Sequence, residues 1–514
     1  MRINRKSIRL KKKKAENEKV QNTTPTLEKI LESNLELIKQ IFNNDETIRI
    51  RKFQNKFFPS ANFCVIYIDG MVNTELVNEN IIQPIMKNNL TEEISTRHLL
   101  EELESKIIVS NRIEKTQEIN KIVSSIISGD TVFLIDGYDV SLMIESKGWV
   151  TRAITEPESG KVVRGPREGF TESIIVNLSL IRRKINNPDL KFKFKEIGER
   201  TRTKTCVCYI EGLALKEVIS ELERRLDEIN IDGILDSGYI QELIEDAPLS
   251  LFETVGYSER PDVIAAKLLE GRVALVVDGS PFVLTVPYVL IEGWQANEDY
   301  YSKFIFASFY RLLRTVSVFI ALGLPAIYLS LSCFHQEMLP TRLLLSMSAS
   351  RQGVPFPTVI TLIGMLLVFD VIREAGIRMP APIGQAVNIV GTLVLGQAAV
   401  EAKLVSAPVV IVTAISGMMT LLSPTTIGMV ILVRYFLILL SAFLGIYGYI
   451  FGMILSVLHM LNIRSFGVPY MLGITSVKNH NGQDIWIRSP WWSMTLRPKL
   501  IGAKNLVRQT RNKG

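Results

Sequence analysis

Hydrophobic and polar positions change character once along the chain. Up to about residue 300 short apolar runs alternate with charged segments, and from Val316 to Leu461 apolar stretches dominate. Four of those stretches lack Asp, Glu, Lys and Arg: Val316 to Cys333, Gly384 to Val400, Val405 to Leu422 and Tyr435 to Leu461. Each is near or above the ~18 residues of a membrane-spanning helix candidate. No such stretch lies near Met1. The order predicts a large soluble module over residues 51–300 feeding a helical membrane block over 301–465.

Within the soluble part, Cys64-Val-Ile-Tyr-Ile-Asp-Gly70 returns as Cys206-Val-Cys-Tyr-Ile-Glu-Gly212, and the run from Gly129 to Gly137 returns as Gly271 to Gly279. Both pairs share one offset, 142 residues. Two matches at one register predict a duplicated α/β (α+β) module, subdomain 1 over 51–178 and subdomain 2 over 179–300. Each copy opens with a β-rich run and continues through a helix-like segment ending near Met86 or Ile229. Each then reaches a hairpin, Val132 to Ile144 or Val273 to Val286, whose Asp-Gly pair reads as a two-residue turn. Turn chemistry accounts for Asp136 and Asp278, so no catalytic carboxylate is assigned there. Gly160-Lys161 lacks the glycine five residues earlier that a phosphate-binding loop needs. No enzyme, cofactor or metal is indicated.

In the membrane block, the apolar run from Thr358 to Phe369 follows a Pro-Phe-Pro string and meets Asp370. Its length predicts a re-entrant or broken helix. Asp370, Arg373, Glu374 and Arg378 follow close to one helical phase. They read as an interfacial salt-bridge cluster or as a charged vestibule for ions, with Glu401, which with Lys403 closes the stripe described next, a further candidate member. Between Gly384 and Val400, the polar or small residues Gln385, Asn388, Thr392, Gly396 and Ala399 recur at three- and four-residue intervals. That stripe faces neighbouring helices or an aqueous path, and a pore of several copies satisfies both. Arg434 has no acidic neighbour in sequence; it either snorkels to an interface, the favoured reading, or pairs with something elsewhere.

The net charge is +7. It is concentrated at the ends, with eight basic residues and no acid from Met1 to Lys14 and seven with none from Arg488 to Gly514. Such runs predict a disordered segment over 1–50 and a basic tail over 466–514, both facing anionic lipid headgroups rather than nucleic acid. Basic flanks, including Lys303, Arg311 and Arg314, place both termini in the cytosol and demand an even number of crossings. Four crossings plus a re-entrant segment are favoured, with six if Thr426 to Leu461 forms a helical hairpin. Cys64, Cys206, Cys208 and Cys333 offer no disulfide framework, and Cys206 and Cys208 share a strand face as core residues.

Five strings carry a family resemblance: Gly165-Pro-Arg-Glu-Gly-Phe-Thr-Glu172, Asn297-Glu-Asp-Tyr-Tyr301, Arg373-Glu-Ala-Gly-Ile-Arg-Met-Pro380, Val390-Gly-Thr-Leu-Val-Leu-Gly-Gln-Ala-Ala-Val400 and Arg464-Ser-Phe-Gly-Val-Pro-Tyr470. The chain resembles the A subunit of bacterial spore germination receptors, the GerA family, from about residue 50 to 500. The resemblance implies a multi-pass subunit in the spore inner membrane, beside a transporter-like nutrient-binding B subunit and a lipoprotein C subunit. It implies that copies self-associate into a nutrient-gated cation channel. A non-conducting scaffold or signal relay is the alternative. Asp370 stands where the family usually has glutamate, and Glu401 and Lys403 stand where Gln and Gly are usual.

Overall fold

The computed structural model describes residues 25–59, 61–87, 99–100, 102–110, 112–149, 160, 162–380, 394, 396–474, 484–497, 501 and 507–508. Two five-stranded antiparallel sheets form the part of the chain before residue 300, expected to be soluble. The first has the order β1-β2-β4-β5-β3, with β1 Ile48–Gln54, β2 Asn62–Ile68, β3 Ile113–Thr116, β4 Thr131–Ile135 and β5 Ser141–Ile144. The second repeats that order as β6-β7-β9-β10-β8, with β6 Leu190–Ile197, β7 Thr203–Ile210, β8 Gly256–Ser258, β9 Val273–Val277 and β10 Val283–Val286. The sequence repeat therefore corresponds to one strand order used twice.

Both central strands, β4 (Thr-Val-Phe-Leu-Ile) and β9 (Val-Ala-Leu-Val-Val), are buried at every position. A strand covered on both faces needs no polar alternation. In the first sheet Phe63, Val65, Phe133 and Ile135 enter one core, while Cys64, Ile66, Val132 and Leu134 enter the other. Helix α1 (Leu31–Ile41) closes the second core with Leu31, Leu35 and Ile38, one stripe at helical spacing. Helix α2 (Ile119–Ile127) joins it there. In the second sheet, helix α3 (Ile174–Lys184) closes one core, with Cys206 and Cys208 on the same face of β7. Helix α4 (Lys216–Glu228) and helix α5 (Ser237–Ile244) close the other.

Three sequence expectations change here. Asp-Gly does form the two central residues of a β-turn in each copy, with Tyr138 N–H donating to the Ile135 carbonyl and Ser280 N–H to that of Val277 (both 3.3 Å), but the connections after β4 and β9 span residues 136–140 and 278–282, so that turn is not the whole hairpin loop. Each aspartate also caps a helix from outside its own segment. Asp136 Oδ1 accepts from the Leu31 N–H (3.1 Å) and Asp278 Oδ1 from the Ile174 N–H (3.0 Å). The boundary at residue 50 falls inside β1, since residues 25–50 hold α1 and the start of that strand. The boundary at 178 falls inside α3, whose apolar face belongs to the second core.

After α6 (Pro261–Leu269) and the short helical segments Leu290–Trp294 and Glu298–Tyr301, the described chain is mainly helical, with α7 Phe304–Cys333, α8 Thr341–Arg351, α9 Thr358–Arg378, α10 Ala407–Thr420, α11 Ile427–Leu444 and α12 Ile446–Asn462, and a two-stranded ladder of Arg464–Ser465 with Val468–Pro469 follows them. Two of these, α7 and the segment Pro424–Leu444, are long and apolar enough to cross a membrane, with mean hydropathies of 2.0 and 2.4. The short or broken helix expected after Pro357 is continuous to Arg378, because the charged residues from Asp370 onward extend the helix instead of ending it. The single span expected over Tyr435 to Leu461 is two helices, divided at Gly445, whose φ of +59° suits glycine. They fold back tightly: a Cβ on Gly448 would lie 2.1 Å from the Leu440 carbonyl oxygen. This is the helical hairpin that the sequence admitted as its alternative. One core joins the block to the soluble part, since Phe252, Leu290, Ile291, Trp294 and Tyr470 pack with residues of α7, α9, α10 and α11.

Candidate functional site

The centre of the helical block holds a buried ion pair. Asp370 lies on the outgoing half of α9, at 16% side-chain exposure, and Arg434 lies mid-α11 at 0%. Arg434 Nη2 donates to Asp370 Oδ2 at 2.8 Å, and the Tyr435 hydroxyl donates to the same oxygen at 2.8 Å. Arg434 Nη1 also donates to Ser416 Oγ on α10 (3.3 Å), and Ser416 donates to the Ala321 carbonyl of α7 (2.9 Å). Four helices thus meet at one polar node. Nearby, Gly417 gives room for Phe369, whose ring would lie 2.3 Å from an added Cβ. Arg373 adds a looser contact to Asp370 Oδ1 at 3.4 Å.

The residues proposed as a charged vestibule divide into two groups. Asp370 and Arg373 belong to the buried node, whereas Glu374 and Arg378 form an exposed pair at 2.7 Å. Glu401 is exposed and accepts from Gln397 Nε2 (2.8 Å). Arg434 does not snorkel: its charge is matched inside the bundle. The signal for that pairing was the lone Arg434 in an apolar run, with Asp370 ending another apolar run. Of the proposed polar stripe, Gln385, Asn388 and Thr392 lie outside the described residues. Gly396 is buried at the start of the short helix Gly396–Glu401, and Ala399 is half-buried against the common core.

A second ionic node joins the soluble part to α7. Arg311 is fully buried and contacts Asp299 (3.0 Å) and Asp484 (2.8 Å), so it does not mark a lipid-facing flank. Arg314 donates to Asp299 Oδ1 at 2.6 Å. The Tyr300 hydroxyl donates to Asp484 Oδ2 at 2.6 Å; burial and that carboxylate push its pKa well above the usual range. Alongside lies Glu292, paired with Arg272 and with Lys267 (3.1 Å). Burial alone would raise its carboxyl, yet Arg272 and Lys267 outweigh that and hold it below the usual range. A cavity of about 100 Å³ at this junction is lined in part by Arg272, Glu292, Tyr300, Asp484 and Arg508. No group of His, Cys, Asp and Glu that could hold a metal ion occurs among the described residues.

A duplicated α/β module fused through a shared core to an apolar, ion-paired helical block defines a class of two-part proteins with membrane-capable helices. Residues 36–500 match the family described as Bacillus/Clostridium GerA spore germination protein, and the chain belongs to that family. It is 38% identical over 482 residues to spore germination protein KA of Bacillus subtilis (strain 168), covering 93% of this chain and 88% of that one. It is 39% identical over 470 residues to the uncharacterized membrane protein YfkQ of the same organism, covering 91% and 90%. The crystal structure of the N-terminal domain of the A subunit of the Bacillus megaterium spore germinant receptor GerK3 is 35% identical, with 51% of this chain and 97% of that one covered and a TM-score of 0.42.

Proposed function

We propose that this chain is the membrane-embedded A subunit of a nutrient receptor that triggers spore germination, and that copies of it assemble into a ligand-gated cation channel. Family membership supports the germination role. The observation that carries the channel reading is the Asp370–Arg434 pair, opposite charges held between helices inside an apolar bundle. Ionisable residues in such a setting mark ion pathways or the elements that gate them. In this reading the soluble modules and both termini face the cytosol. The B and C subunits bind alongside in the inner membrane, and lipids cover the apolar helix faces exposed on α7 and α12. No residue is assigned a catalytic role, and no cofactor is required.

Reconstitution tests this directly. The chain, co-assembled with its B and C subunits in potassium-loaded vesicles, releases potassium when nutrient is added, and substitution of Asp370 by Asn abolishes the release. Complete assembly with no nutrient-dependent flux would leave the chain as a scaffold or relay.

A further inference from the structure

Among the described residues at the junction with α7, one cation is left over. Arg488 is 3% exposed, and its guanidinium lies over the rings of Trp491 (5.3 Å) and Tyr300 (5.9 Å). Its Nε and Nη2, the two donors of the side-on fork, have no hydrogen-bond partner among the described residues. The neighbouring carboxylates are already taken, Asp299 by Arg311 and Arg314, and Asp484 by Arg311 and the Tyr300 hydroxyl. Three guanidinium groups therefore meet two carboxylates. A buried guanidinium without a counter-ion is strongly unfavourable, so this arrangement calls for an anion.

We propose that Arg488 holds the phosphodiester of an anionic phospholipid at the membrane surface where α7 begins. The fork supplies two parallel donors at the spacing of two phosphate oxygens. The surroundings select a lipid over a free anion. Trp492 is 71% exposed and packs edge-on against Phe304, the first residue of α7. Ile487, and Phe306 and Phe309 in the first turns of α7, are exposed as well. Tryptophan and other aromatic side chains favour the headgroup level, where one edge is wet and the rest apolar. The Ser308 hydroxyl donates to the Arg488 carbonyl at 3.2 Å, tying this segment to the first turns of α7. Trp491, half exposed, covers the fork, and a headgroup reaches it by displacing that ring. The excess positive charge repels a choline headgroup and admits a glycerol one.

The test uses the full-length chain purified in maltoside micelles, with thermal unfolding followed by tryptophan fluorescence. Dihexanoyl phosphatidylglycerol, dihexanoyl phosphatidylcholine and inorganic phosphate are titrated separately. Phosphatidylglycerol raises the melting temperature and saturates, while the other two do not at equal concentration. Loss of two charge-assisted hydrogen bonds in R488Q weakens phosphatidylglycerol about tenfold or more, and R488K, which keeps the charge without the fork, weakens it less. Equal affinity in R488Q and the parent overturns the proposal. So does inorganic phosphate stabilising as well as the lipid, which would mark a free-anion site, or stabilisation only by a co-assembled partner protein. If R488Q does not fold, absence of headgroup preference in the parent chain is equally decisive against it.

Discussion

Substituting either member of the Asp370–Arg434 pair has unequal consequences, and the inequality follows from the partners each would leave behind. In D370N, Arg434 stays fully buried with the Ser416 hydroxyl at 3.3 Å as its remaining described oxygen partner besides the new amide. Breaking a buried pair from one side costs ~3–5 kcal/mol because the surviving charge is uncompensated. In R434Q, Asp370 keeps the Tyr435 hydroxyl at 2.8 Å and Arg373 at 3.4 Å, and it is partly exposed. The loss then reduces to a charge-assisted hydrogen bond, about 1.5–3 kcal/mol. At ~2–4 °C per kcal/mol for a domain of this size, D370N lowers the melting temperature by ~6–20 °C and R434Q by about half that. The double variant D370N/R434Q removes both charges and recovers at least ~2 kcal/mol relative to the sum of the single changes. Thermal unfolding of the detergent-purified chain at one fixed scan rate gives all four values, a necessary control because such unfolding is commonly irreversible. Additive losses in the double variant, or R434Q as damaging as D370N, would refute the reasoning. Germination of spores carrying each variant as sole copy separates structure from gating: a merely structural pair is rescued in the double variant, whereas a gating pair stays defective despite restored stability.

Other expectations follow from single observations. D278A and D136A each remove a helix cap and lower stability by ~0.5–2 kcal/mol, measured by denaturant unfolding of the chain, with nutrient response unaffected once the protein is folded. G448A places a methyl group against the Leu440 carbonyl and destabilises the α11–α12 hairpin by ~1–3 kcal/mol, seen as a lower melting temperature. Arg272 and Lys267 hold the Glu292 carboxyl below the ordinary glutamate range in the folded chain, so its contribution is complete above the unfolded-chain pKa and is lost as pH falls through the folded one. E292Q consequently flattens the acid limb of the stability profile below about pH 4.3, the ordinary glutamate value, measured by unfolding across a pH series, and an unchanged limb would reject the assignment.

The repeat was legible because apolar strand cores tolerate few substitutions and keep their spacing: the offset between Cys64 and Cys206 holds equally for β1 and β6, Ile48 and Leu190 beginning them. Its edges were not legible. Residues 25–50 carry many charges, yet the buried stripe Leu31, Leu35, Ile38 and Phe42 is enough to hold α1 against the sheet. The Asp-Gly pairs were legible as turns but not as caps, because the aspartate side chain accepts from a helix distant in sequence, an interaction with no local signature. Arg434 misled for the same reason. Its partner is 64 residues away, and periodicity within one helix says nothing about which charge a neighbouring helix presents. The break at Gly445 was weakly encoded, since the apolar run continues through it and one positive φ ends the helix.

These long-range contacts are also the described physical links between the two halves of the molecule, and in the proposed function they would carry any coupling. Phe252, Trp294 and Tyr470 share a core with α7, α9, α10 and α11, and Arg311 ties α7 to Asp299 on one side and Asp484 on the other. Close-packed interiors resist continuous deformation, so a rotation of the second module either leaves α7 in place or repacks this junction into a second discrete arrangement. The Ser416 hydroxyl, bonded to the α7 carbonyl of Ala321 and to Arg434, is then the shortest described polar link from α7 to the Asp370 pair. A shift of α7 that breaks the Ser416–Ala321 bond withdraws one of Arg434's supports and weakens the hold on Asp370. Coupling by this route requires Ser416, and S416A, which keeps the packing but removes the hydroxyl, is the substitution at which an intact fold and a lost nutrient response should part company.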